Sequence, residues 1–193
     1  MELEALLAER DIHVALLQET KLRPAAKTPR FTGYSTLRVD RPNGGGGGGL
    51  LALVRKDISF THTTAATKAR IPVDEVREIL TLTLRVHGKD IDLANIYVPP
   101  QSSCPNGYAP DLSGLGLGPR ALVLGDFNAH NPAWLYAQAG DPRGLYLLDQ
   151  FEEMIILNNL DTPTRLPNRV NVSPTSPDIT RSEERRVGKE CRS

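Results

Sequence analysis

The chain is short of cysteine, of aromatic residues and of any excess charge. Its only cysteines are Cys104 and Cys191. A single pair cannot build a disulfide framework, so an intracellular, reducing setting is expected. Aromatic residues make up 5% of the chain, which excludes broad base-stacking platforms. The 23 basic and 23 acidic side chains cancel, so any contact with nucleic acid would need a local patch rather than a global field. No apolar run approaches the ~20 residues that span a bilayer, and no membrane partner is expected. The opening MELEALLAERDIHVALLQET has acids where a signal peptide needs bases, so no export signal is read there.

What is present reads as one domain with a substantial core, since the chain is 193 residues long. Residues 2–10 carry Leu3, Leu6 and Leu7 at helical spacing among good helix formers. Residues 12–18 form a short apolar run, expected to be a buried strand. Residues 21–30 are a Pro-containing basic loop with Lys21, Arg23, Lys27 and Arg30, a solvated face or a phosphate-backbone contact. Weak alternation over 34–39 and the run LLALVRK flank RPNGGGGGG, whose Asn-Gly start suits a hairpin. Gly44–Gly49 lacks the Lys-Ser/Thr of a P-loop, so a flexible turn is the reading. Residues 76–86 alternate with period two, a turn follows at 87–90, and 91–98 is the second strand of a hairpin. Residues 99–119 are an unusually long loop. A strand is expected over 121–125, a helix over 144–157 and a loop with short extended pieces over 158–180. Asp149, Glu152 and Glu153 would form that helix's outer face. Strands outnumber helices, which predicts a mixed α/β domain with at least one extensive sheet.

Chemistry gathers where apolar strands end. IHVALLQET ends in Gln18, Glu19 and Thr20; IDLANIYVPP ends with Asn95 and Tyr97; ALVLGDFNAHN ends with Asp126, Asn128 and His130. Layered α/β folds form sites at such ends. A carboxylate such as Glu19 offers hard oxygens suited to Mg²⁺, which needs only one or two protein carboxylates. An aspartate can orient or deprotonate a water, and an amide or phenol can donate to charge building on phosphate. The set is coherent for hydrolysis of a phosphate ester. For His130, with Trp134, packing of a loop weighs as much as a nucleic-acid contact.

Taken in order, LLQET, NIYVPP, LGDFNAHN and SPTSPDIT resemble the endonuclease/exonuclease/phosphatase superfamily. Within it, HNPAWL, the DPRG stretch and LNNLDTPTR are most similar to the apurinic-type endonuclease domain of non-LTR retrotransposons. The resemblance implies a DNase I-like two-sheet β-sandwich flanked by helices. It implies Glu19 as metal ligand, Tyr97 as active-site tyrosine and Asp126 as the group positioning the attacking water. Asn128 would contact the scissile phosphate, and Asp178 would support a catalytic histidine. The implied cofactor is Mg²⁺, with Mn²⁺ as an alternative. The implied substrate is double-stranded DNA, nicked by a monomeric domain of a longer polyprotein with reverse transcriptase and acting in the nucleus.

The resemblance also implies an opening strand with a metal-binding asparagine and a closing Ser-Asp-His strand. Neither matches here, so the domain, set at residues 1–180, is expected to be truncated at both ends. None of His13, His62, His87 and His130 fits the catalytic histidine by motif, and a very poor nuclease is expected. Residues 181–193, RSEERRVGKECRS, resemble translated sequencing adapter; without them acids outnumber bases by two. Two other readings stay open: a phosphoesterase acting on lipid or sugar phosphates, and a decayed fragment that at most binds DNA.

Overall fold

The computed structural model describes residues 2–41, 47–62, 74–112, 114–150, 155–167 and 173–182. Their order is α1 (Glu2–Glu9), β1 (Val14–Leu17), β2 (Tyr34–Val39), β3 (Leu50–Arg55), β4 (Ser59–His62), β5 (Glu78–Val86), β6 (Lys89–Tyr97), β7 (Ala121–Asp126), α2 (Pro142–Gln150), β8 (Ile155–Ile156) and β9 (Asp178–Ser182). The strands form one antiparallel sheet of three, β1-β3-β2, and a mixed sheet of six, β4-β5-β6-β7-β9-β8. In the larger sheet only β6 and β7 run parallel.

Side-chain alternation turns these sheets into layers. Leu80, Leu82, Leu84 and Leu93 face Leu50, Ala52 and Val54 and fill the space between the sheets. Leu51 and Leu53, on the opposite face of β3, pack with Leu7 of α1 and with Phe31. Ala94, Ile96 and Val123, on the opposite face of the large sheet, pack with Phe127, Trp134 and Leu147 of α2. The order of layers is therefore helix, small sheet, large sheet, helix. At ~25 cal/mol per Å² of apolar area, burial in these three clusters is the main force holding the layers together.

The two expected hairpins form. β2 pairs antiparallel with β3, although Pro42–Gly46 of the turn lie outside the described residues. β5 pairs with β6 and closes at Val86↔Lys89, two residues tighter than the 87–90 turn, with His87 and Gly88 both at positive φ.

The helix expected over 144–157 is different. It begins at Pro142, because Asp141 Oδ1 accepts the Gly144 N–H at 2.6 Å and proline suits the first helical position. Its described part ends at Gln150, and residues 151–154, including Glu152 and Glu153, lie outside the described residues. Ile155–Ile156 is strand, as suits β-branched residues that find a partner in β9. Asp149 is exposed as expected, and Leu145 is 62% exposed as well. One strand is not expected from the sequence, β4 at the edge of β5, and β9 is an extended piece of the 158–180 stretch that runs two residues beyond the boundary drawn at Thr180. The long loop after β6 contains a 3₁₀ turn at Gln101–Ser103 and is tied to α2 by a Leu112 N–H to Gln150 Oε1 bond of 2.7 Å.

Candidate active site

Register places the polar strand ends in one row. Tyr97 of β6 sits directly beside Asp126 of β7, and Asp126 directly beside Asp178 of β9. Paired residues share a sheet face, so these three side chains stand side by side, with strands ~4.8 Å apart. On the other side of Tyr97 the partner is Glu78 of β5. The strand pair at the centre comes very close. A Cβ at Gly125 would lie 1.8 Å from the Ile96 carbonyl oxygen, so only glycine fits before Asp126.

Glu19 arrives from the other sheet, two residues beyond β1. Its Oε1 accepts the Tyr97 hydroxyl at 2.5 Å, and Lys21 Nζ lies 3.6 Å from its Oε2. Glu19 adopts φ 50, a left-handed conformation in which a glutamate is held only by its surroundings. Part of that hold comes from Asn95, wholly buried between the sheets. Its Oδ1 accepts from Gln18 Nε2 at 2.5 Å and its Nδ2 donates to the Leu17 carbonyl at 3.2 Å.

Charge at the site follows from burial. Burial pushes the Asp126 carboxyl up to about 6; the Asn128 N–H opposes this, while Asp178 and Glu19 reinforce it. Burial first, and then the hydrogen bond to Glu19, holds the Tyr97 phenol well above its usual range, so it remains a hydrogen-bond donor. Asn128 is also left-handed, at φ 44, as asparagine tolerates. Its backbone N–H donates to Asp126 Oδ1 at 2.9 Å and its Nδ2 donates to the Val98 carbonyl at 3.0 Å. Asp178 Oδ2 accepts the Thr164 hydroxyl at 2.6 Å.

The donor set fits a hard cation held by few protein ligands. The Glu19 side chain is 42% exposed, so its carboxylate keeps lone pairs open to solvent. Among the described residues no group of three or more His, Cys, Asp or Glu stands together so as to hold a metal ion by itself.

Of the residues singled out in the sequence, Tyr97, Asp126 and Asp178 share one row, Asn128 bonds to Asp126, and Glu19 bonds to Tyr97. His130 lies in the loop that follows, with Nδ1 2.8 Å from Asp141 Oδ2, the residue that caps α2. Of the basic loop, Lys21 reaches Glu19, whereas Lys27 and Arg30 line a separate cleft of about 780 Å³ with Lys56 and Tyr34. The sequence reading missed Glu78 and Arg143. Glu78 had a signal: it is the only carboxylate on the inward-facing set Glu78, Leu80, Leu82, Leu84. Arg143 had none. Its guanidinium is buried and donates to the carbonyls of Pro99 (2.8 Å), Phe127 (3.3 Å) and Asn128 (3.2 Å). It thereby ties together the loops that leave β6 and β7.

Two face-packed sheets between helices, with the polar strand ends collected on one rim, make this the DNase I-like α/β fold. The chain belongs to the Endonuclease/Exonuclease/phosphatase family, whose profile matches residues 2–182. That family comprises phosphoester hydrolases, nucleases and phosphatases. Solved structures share the fold. The endonuclease domain of TRAS1, a telomere-specific non-LTR retrotransposon, superposes with a TM-score of 0.68 at 22% identity, covering 94% of this chain and 77% of that one. A family protein from Leptotrichia buccalis gives 0.60 at 16% identity, covering 95% and 80%. An AP endonuclease from Archaeoglobus fulgidus gives 0.52 at 19%, covering 93% and 79%. No curated protein sequence matches the chain.

Proposed function

We propose that the chain is a Mg²⁺-dependent endonuclease domain that nicks double-stranded DNA by phosphodiester hydrolysis, with Mn²⁺ as a substitute ion. The observation that carries this reading is the Tyr97–Asp126–Asp178 row with Glu19 bonded to its tyrosine. Glu19 would hold the ion, which polarises a phosphoryl oxygen when bound. Asp126 orients and deprotonates the attacking water, which its raised carboxyl suits better than an ordinary aspartate. The Asn128 amide donates to the oxygens on which charge develops, and Tyr97 spends its single proton on Glu19, holding that carboxylate in place. Asp178, steadied by Thr164, sits beside Asp126 to align a general acid.

HNPAWL, DPRG and LNNLDTPTR, together with the likeness to TRAS1, support a role in priming a linked reverse transcriptase within a polyprotein, and hence in the nucleus. No described helix is long and apolar enough to cross a membrane. We take residues 1–180 as the domain and 181–193 as an adapter-like tail, to be checked by genomic sequence across Thr180.

Turnover is expected to be slow. Among the described residues no histidine is bonded to Asp178, and a general acid–base group is worth ~10²–10⁴ in rate. The test is nicking of supercoiled plasmid by the 193-residue chain at high concentration, with Mn²⁺ affinity measured separately by calorimetry. Expected is slow, metal-dependent nicking lost in Asp126→Ala, with Mn²⁺ affinity weakened by Glu19→Gln. Nicking that survives Asp126→Ala would overturn the site. Faster hydrolysis of sphingomyelin or inositol phosphates would overturn the substrate. DNA binding with neither nicking nor metal binding would make the chain a non-catalytic fragment.

A further inference from the structure

The end of the glycine run and a buried glutamate are left unused by this chemistry, and they meet just behind Glu19. The Glu78 side chain is 1% exposed, on the face of β5 that looks toward the small sheet. A carboxylate so placed is tolerated only when paired. Its Oε2 accepts the Gly49 N–H at 2.5 Å, and its Oε1 lies 3.0 Å from Arg41 Nε. Burial pushes this carboxyl up, and the Gly49 N–H and Arg41 only partly oppose it.

The same two glycines grip the chain that follows Glu19. The Gly49 carbonyl accepts the Thr20 N–H at 3.1 Å, and the Gly48 carbonyl accepts the Lys21 N–H at 2.8 Å. Glu19 and Lys21 are both left-handed, at φ 50 and 54, so this turn depends on outside support. Neither glycine has room for a side chain. A Cβ at Gly48 would lie 2.0 Å from Glu78 Oε1, and one at Gly49 would lie 2.5 Å from Thr20 Oγ1. Both also have positive φ, at 71 and 89. The contacts form a continuous relay: Glu78 to Gly49, Gly48–Gly49 to Thr20–Lys21, and Glu19 to Tyr97, the strand neighbour of Glu78.

We propose that Glu78 is a positioning residue: through Gly48–Gly49 it fixes the Glu19–Lys21 turn and so aims the Glu19 carboxylate. A plain buried ion pair would hold the sheets together without singling out that turn. The consequence for metal rests on the reading of Glu19 as a metal ligand.

The test uses the full chain, native-state hydrogen exchange by NMR and Mn²⁺ titration. In Glu78→Gln, which keeps the shape but weakens both partners, the Thr20 and Lys21 amides should exchange at least ~10-fold faster. The amides of Ile96 and Val123 should keep their rates. Gly49→Ala should reproduce the pattern, and the Mn²⁺ dissociation constant should rise several-fold in both variants. Unchanged exchange at Thr20 and Lys21 would overturn the proposal. So would a uniform acceleration across both sheets, or an unchanged Mn²⁺ affinity despite local loosening. If the unsubstituted chain binds no Mn²⁺, the metal role of Glu19 falls instead, and the exchange pattern alone decides the positioning role.

Discussion

Tyr97 and Glu19 are 78 positions apart in the chain and meet through a hydrogen bond of 2.5 Å. The bond joins the last residue of β6, in the large sheet, to the segment just beyond β1, in the small one. It is a charge-assisted contact whose acceptor is partly exposed, so screening and competition from water reduce its worth.

Removing that hydroxyl is the first prediction. Tyr97→Phe should destabilise the fold by about 1 kcal/mol, a modest value for a hydrogen bond to a half-exposed carboxylate. In urea melts the midpoint should fall while the slope stays constant. Nicking should fall much further than stability, because Glu19 loses its aim. Equal losses in both would show that the bond only holds the sheets together.

Asp126 gives a pH dependence of definite sign. Burial pushes its carboxyl up to about 6 in the fold, from an ordinary 3.8. The folded state therefore binds the proton more tightly, so this group's contribution is fully present below about pH 4 and is lost as pH rises through about 6. In chelator, the stability gap between the wild type and Asp126→Asn should shift by roughly 1–2 kcal/mol in favour of Asp126→Asn between pH 4 and 7. Urea melts at several pH values would read this; parallel curves would contradict it.

Arg143 should be costly to shorten. Arg143→Met leaves the Pro99, Phe127 and Asn128 carbonyls without the buried guanidinium, and one such orphaned group costs ~1–3 kcal/mol. The expected loss is about 2–4 kcal/mol, measured in urea. Hydrogen exchange should show the loop around Asn128 loosening before β5 does.

The legible parts of the fold and site were those with a local signature. Alternation over 76–86 and the turn at 87–90 mark the long hairpin, and the polar residues ending each apolar run mark Glu19, Tyr97, Asp126 and Asn128 as chemically unusual. Register was not legible. Nothing in the spacing says that Asp126 falls beside Tyr97 on one side and Asp178 on the other, because pairing is decided by partners far along the chain. Ile155–Ile156 was misread for the same reason. The isoleucines continue a helical spacing, and only β9 makes them a strand. Arg143 was invisible because its partners are main-chain carbonyls, which every sequence has. The glycine run reads as a flexible turn, yet Gly48 and Gly49, both at positive φ, are where the chain is pressed against the Glu78 and Thr20 side chains.

The parallel pairing of β6 with β7 sets a condition on length. Tyr97 and Asp126 can both stand at the same rim only because the chain leaves the top of β6, returns to the far end of the sheet and climbs again as β7. The segment from Val98 to Arg120 is that return journey. Extra residues there are cheap, since doubling a loop costs only ~0.6 kcal/mol. Shortening is another matter. A chain too short to make the trip must turn back as an antiparallel strand. The aspartate would then be delivered to the opposite end of the sheet from the tyrosine. An unremarkable surface loop thus has a minimum length set by the chemistry on the opposite shore of its own journey.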